Sequence, residues 1–181
     1  FGAGAARTTC VSRGMEDVFV ARFDAEGNPL RIVGFGGPRS DGGHRVALDS
    51  KGNIVVAGWF RDTAAFDPAG ARGRLTARGK GEGSDAFVAK YDGEGRFLWA
   101  FRAGSAEAPP PGQPRMVMGA IAAGLALDAS DRILCTGRFH GTADFSPDAG
   151  EERLVSAGGT DLFLLRLTPE GRLDAEAPTK K

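Results

Sequence analysis

The chain has 181 residues, 41% of them hydrophobic and 25% charged, which is ordinary for a globular protein with room for one sizeable core or several small stacked sheets. Lys+Arg and Asp+Glu both number 23, so the net charge is zero and the basic excess expected of a nucleic-acid or anionic-membrane binder is missing. No apolar run approaches the roughly 20 residues that span a bilayer as a helix. The 28 glycines, scattered among short apolar runs, predict many turns and therefore an all-β chain.

The opening residues FGAGAARTTC carry no apolar core of a signal peptide, and Phe1 in place of an initiator Met leaves room for a removed leader or a missing preceding part. The segment RTTCVSRGMED, Arg7 to Asp17, matches ERLVSAGGTD at Glu152 to Asp161, with Gly14 over Gly158 and Asp17 over Asp161. Residues 1–16 therefore read as the end of a repeat whose beginning is absent. Cys10 and Cys135 are too few for a disulfide framework. Cys135 lies in RILCTG at a position where an earlier repeat has Val56, which marks it as a small core residue; pairing between the two cysteines stays open.

Three near-copies follow, DVFVARFDAEGNPL from Asp17, DAFVAKYDGEGRFLWAF from Asp85 and DLFLLRLTPEGRL from Asp161, 68 and 76 residues apart. A long period of this kind decides architecture before any local reading does. Phe19, Phe87 and Phe163 share one position, flanked on both sides by apolar residues, so these strands are expected to be covered on both faces, as when sheets stack. Arg22, Lys90 and Arg166 stand three residues later and are expected to reach the sheet rim with their charge in water. Gly27, Gly95 and Gly171 supply the positive φ of a four-residue hairpin loop, and Asp24 and Asp92 are placed to bond the turn backbone. The D-x-x-G spacing also invites calcium, but the loops are too short and too poor in ligands for an EF-hand-type site.

A second pair of repeats interleaves with the first. HRVALDSKGNIVVAGWFRDTAAFDP from His44 aligns with AGLALDASDRILCTGRFHGTADFSP from Ala123 at a constant offset of 79. Each is a hairpin, with Val46 and Leu48 alternating as in a half-buried strand. Phe66 and Phe145, each two residues before a proline, read as plugs that pin a loop to a sheet. Between the two series lies SAEAPPPGQPRMVMGA, residues 105–120, a polyproline-like excursion that cannot join a ladder. Pro109, Pro110, Pro111, Arg115, Met116 and Met118 make this loop the candidate partner-binding element. Residues 174–181 form a polar tail.

Taken together, DxFVAK(Y/F)D–xxG and AxDxxGNIxVxGxFxxTAxFDP resemble the bacterial SBBP-type β-propeller repeats. The resemblance covers most of Asp17 to Leu173 and implies a propeller-like array of small antiparallel sheets, residues 17–173, in roughly three blades' worth of strands. Closed propellers typically use four to eight blades, so a partial or open propeller is expected. The resemblance further implies a secreted, periplasmic or cell-surface setting and a binding or adhesion role. Members often carry two acidic residues in TADFDP; here Ala65 with Asp67, and Asp144 with Ser146, keep one each, which weakens a calcium site. The expectation is a cofactor-free, non-catalytic structural or protein-binding module, an accessory subunit whose partners are other protein subunits or copies of itself. His44 and His140 occupy unrelated repeat positions, and no nucleophile–base or metal motif is present. The alternative is a carbohydrate-binding or adhesion domain in which Trp59 and Trp99 stack on sugars.

Overall fold

A computed structural model describes residues 9–69, 72–79, 83–105, 119–145 and 152–174. Among the described residues there are eleven strands and no helix: β1 (Val18–Phe23), β2 (Pro29–Phe35), β3 (Gly42–Leu48), β4 (Ile54–Arg61), β5 (Thr63–Ala65), β6 (Arg74–Thr76), β7 (Ser84–Tyr91), β8 (Phe97–Ser105), β9 (Ala120–Leu127), β10 (Ile133–Asp144) and β11 (Arg153–Leu167). All strand pairs are antiparallel, as the turn-rich sequence requires. The protein is all-β.

The strands group into three layers. β1–β2 is the first sheet, β3–β4–β7–β8 the middle one, and β9–β10–β11 the third, with β5–β6 a short ribbon beside them. The middle and third sheets join at one corner, where Ala143 and Asp144 pair with Ser105 and Gly104. β9 then folds back against β3, β4 and β7, so the joined sheet curls almost closed, like a barrel.

Five hairpins carry this layout, and one local rule makes all five. In the loop after β1, Asp24 N–H donates to Asn28 O at 3.0 Å, Gly27 N–H returns to Asp24 O at 3.1 Å, and Asn28 N–H reaches Asp24 Oδ1 at 2.7 Å. The same three bonds recur around Asp49, Asp92 and Asp128, and around Thr168 with its hydroxyl in place of a carboxylate. The residue in the left-handed region is Gly27, Gly52, Gly95 or Gly171, and in the fourth loop Asp131 at φ 59°. The expected turn chemistry holds.

The second repeating Asp closes the loops on the strand side. Asp17, Asp85 and Asp161 accept the backbone N–H of Arg13 (3.0 Å), Arg78 (3.0 Å) and Ala157 (2.6 Å), in each case the residue before a repeat glycine. Burial raises the pKa of the Asp85 carboxyl, against the Arg78 amide and the Arg102 guanidinium that favour its charge.

Two cores separate the layers. Val18, Val33 and Phe35 of the first sheet pack on Ile54, Val56, Phe60, Phe66, Phe87, Ala89 and Tyr91. The opposite face of the middle sheet buries Val55, Ala57, Ala86, Val88, Phe101 and Ala103 against Ile133, Cys135, Phe139, Phe163, Leu165 and Leu167 of the third. Each fully buried side chain of this size contributes roughly 1.5–3 kcal/mol. The plugs behave as predicted. Phe66 lies 5.4 Å from Phe60 and 5.0 Å from Phe87, and Phe145 lies 5.6 Å from Phe139 and 5.0 Å from Phe163, ring centre to ring centre. The repeat thus reproduces one aromatic trio twice.

Three expectations need correction. Only β7 is buried along its whole length; β1 and β11 are each covered mainly on one face, the described cover beyond the first sheet being the opening segment, with Cys10 Sγ over Gly34. Val46 and Leu48 are exposed, since the two-stranded first sheet reaches β3 at Gly43, where Val18 packs, and leaves the far end of the strand uncovered. Lys90 is not at a wet rim: it is 5% exposed, with Nζ 2.9 Å from Asp49 Oδ2 and 3.1 Å from Pro169 O. The third sheet's last turn closes over it.

Asp41 is the buried carboxylate with a pH consequence. It is 4% exposed and accepts the N–H of Gly37 (2.7 Å) and of Arg61 (3.1 Å). Burial pushes its pKa up to about 6, with those backbone bonds opposing. The folded state therefore holds a proton that the unfolded state gives up near 3.8. Its stabilising share is complete below that value and is lost as pH rises through about 6. Thermal melts of wild type and Asp41→Asn at pH 4 and pH 7 should differ in their gap by on the order of 2–3 kcal/mol, the wild type losing ground at pH 7. A gap independent of pH would show that the carboxyl is not perturbed.

Candidate interaction surface

The stacking of the three sheets follows a fixed rule. From each DxFxx strand, the first series of side chains (Val18 and Val20; Ala86 and Val88) points at the next sheet. The second series (Phe87, Ala89 and Tyr91; Phe163 and Leu165) points at the preceding one. On the third sheet the first series is Leu162 and Leu164, which are 83% and 69% exposed. They overhang a groove of about 740 Å³ lined further by His44, Ile121, Ala123, Thr136, Arg138 and Phe163. On the first sheet the second series is Phe19, Ala21 and Phe23, with both phenylalanines about half exposed.

Polar links reinforce the stacking at the turns. Arg22 Nη1 donates to Gly93 O in the middle sheet's turn at 3.2 Å, and Lys90 Nζ donates to Pro169 O in the third sheet's turn at 3.1 Å. Gly93 and Pro169 are equivalent in the repeat, as are Arg22 and Lys90. Ser50 likewise bonds Asp131 across neighbouring turns, through its N–H at 2.8 Å and its hydroxyl at 2.6 Å.

The predicted loop residues Pro109, Pro110, Pro111, Arg115, Met116 and Met118 lie outside the described residues. Trp59 and Trp99 stand at opposite ends of the middle sheet: Trp59 is opposite Ala86, and Trp99 is opposite Lys90. The structure does not bring them together. Trp99 Nε1 donates to Pro169 O at 3.1 Å, with its ring packed against Gly171; Trp59 carries the Arg61 guanidinium 5.1 Å above its ring.

His44 Nδ1 sits 2.9 Å from Ala122 O, tying β3 to β9, and His140 Nδ1 bonds the Gly159 carbonyl. Asp67 is held by the Ala69 N–H at 3.1 Å, and Asp144 by Arg78 at 2.7 Å. Among the described residues no group of three or more His, Cys, Asp or Glu is arranged to hold a metal ion, and no helix is long and apolar enough to cross a membrane. Both thiols are free, Cys10 exposed and Cys135 buried, where burial pushes its pKa up to about 12. Cys135 is the core residue its position predicts.

The loop that sequence reasoning singled out lies outside the described residues. The same reasoning took apolar residues on both faces of β11 to mean cover on both faces. The chain matches no family model and no curated protein.

Proposed function

We propose that the chain is a non-catalytic structural or protein-binding module, a propeller-like stack of antiparallel sheets that serves as an accessory subunit of a larger extracytoplasmic assembly. One observation carries this reading: Leu162 and Leu164 stand in solvent at positions whose equivalents in the middle sheet, Ala86 and Val88, are sealed in a sheet–sheet core. A contiguous apolar surface left open on a repeat scaffold is a place where another protein docks. The four-stranded order β3–β4–β7–β8 and the two aromatic trios also suit the SBBP-type resemblance. The two indoles are engaged within the protein, so the sugar-stacking alternative gains no support from them.

Native mass spectrometry on the protein taken gently from its source tests this reading. The expected result is a particle in which the chain travels with other subunits or with copies of itself. A folded lone monomer under every gentle condition would refute the module role.

A further inference from the structure

We propose that the occupant of the open face is a second copy of this chain, docked head to tail. The outer face of the third sheet takes the outer face of the next copy's first sheet. This rests on the module reading above and specifies its partner.

The warrant is that the molecule already contains this interface twice. Val18 at 5% exposure, and Ala86 and Val88 at 4% and 2%, show what the first series looks like when the next sheet is in place. Leu162 and Leu164 are the same positions with the next sheet missing. On the facing series Phe23, the equivalent of buried Tyr91 and Leu167, is 46% exposed on the first sheet. The opening segment touches one edge of that face, with Cys10 Sγ over Gly34.

The turns agree. Gly95 packs against Val33 and Arg31 of the preceding sheet and Gly171 against Trp99, whereas Gly27 in the first sheet's turn faces open space. The basic latch is used differently on the third sheet: Arg22 and Lys90 reach the carbonyls of Gly93 and Pro169, whereas their equivalent Arg166 is held within the chain, its Nε 2.8 Å from Asp174 Oδ2. Such an interface joins two different faces, so it is heterologous and builds rings or open filaments rather than isologous dimers. A formal net charge of zero sets no long-range repulsion against it.

Two blocked variants test the pairing. Leu162→Asp spoils the third-sheet face and Phe23→Asp the first-sheet face; Leu162 is 83% and Phe23 46% exposed, so a retained cooperative thermal melt is the folding control. In analytical ultracentrifugation the wild type should associate as concentration rises. Each variant alone should stay monomeric, while an equimolar mixture should give a heterodimer and stop there, because each partner keeps one good face. Leu164→Asp with Ala21→Asp repeats the test should either first variant fail to fold.

A wild-type chain that is monomeric at all concentrations overturns the proposal. So does a monomeric Leu162→Asp beside a Phe23→Asp that assembles like wild type, since that pattern means like faces pair. If the pure chain is monomeric yet travels with other subunits from its source, the second copy is wrong and the module reading stands. If it is alone in both settings, both fall.

Discussion

Phe66→Ala should cost about 3–5 kcal/mol of stability, read as a lowered midpoint in denaturant and thermal unfolding. Phe66 is fully buried, and its ring touches Phe35 at 5.3 Å, Phe60 at 5.4 Å and Phe87 at 5.0 Å. The residue sits just after β5, in the loop that joins it to β6, where its N–H donates to Gly73 O at 2.9 Å, so removing the ring leaves a cavity that three other rings cannot collapse to fill. It also loosens a second tie, since the Phe66 carbonyl accepts the buried Tyr91 hydroxyl at 2.8 Å. That hydroxyl is itself pushed above its ordinary range by burial, and it stays a donor at any physiological pH. Phe23→Ala, at a half-exposed site of the same residue type, should cost well under half as much. Equal losses at both sites would mean that the plug adds nothing beyond generic hydrophobicity.

Lys90→Met should destabilise by about 3–5 kcal/mol at neutral pH, although it replaces a charge by an apolar chain of similar length. The loss comes from the partner. Asp49 is buried with Lys90 Nζ 2.9 Å away, and without the ammonium its charge is left in a site that excludes water. Burial alone would raise the Asp49 pKa. The Lys90 ammonium, the Asn53 amide and the N–H groups of Asn53 and Lys51 outweigh it and bring the carboxyl down to about 2. The wild-type stabilisation is therefore present above the unfolded value of 3.8 and lost as pH falls through about 2.

Lys90→Met gives up the first of the lowering contributions while the Asn53 and Lys51 bonds remain, so its deficit against wild type should shrink as pH is lowered and the carboxylate takes a proton. Adding Asp49→Asn, which keeps an acceptor for the turn, should recover much of the deficit at pH 7. A deficit constant from pH 7 to pH 2, with no rescue in the double variant, would place the effect in lost packing instead of the unpaired charge.

The sequence by itself determined whatever depends on residues close in the chain. Asp, three residues on, Gly: that spacing closes a hairpin with three hydrogen bonds inside five residues, so Asp24 and Asp92 were readable as turn formers, whereas the Asp128 turn, with Asp131 in the glycine's place, lacks the glycine signal. The register of the repeats likewise placed Phe66 and Phe145 as plugs and Cys135 in the core, because equivalent positions in a repeat meet equivalent surroundings.

The tertiary structure decided which of those surroundings are complete. Lys90, Arg22 and Arg166 read alike in sequence, yet Lys90 is buried only because the turn at Pro169 comes to rest on it. Val88 and Leu164 hold the same repeat position, one sealed and one in water, because burial belongs to the pair of sheets and not to the strand. Asp41 has no repeat partner to announce it, and its raised pKa follows from the β2–β3 connection packing against β4. A repeat specifies the shape of its own two faces. Whether each is covered depends on what stands beyond it, and that depends on how the sheets are stacked.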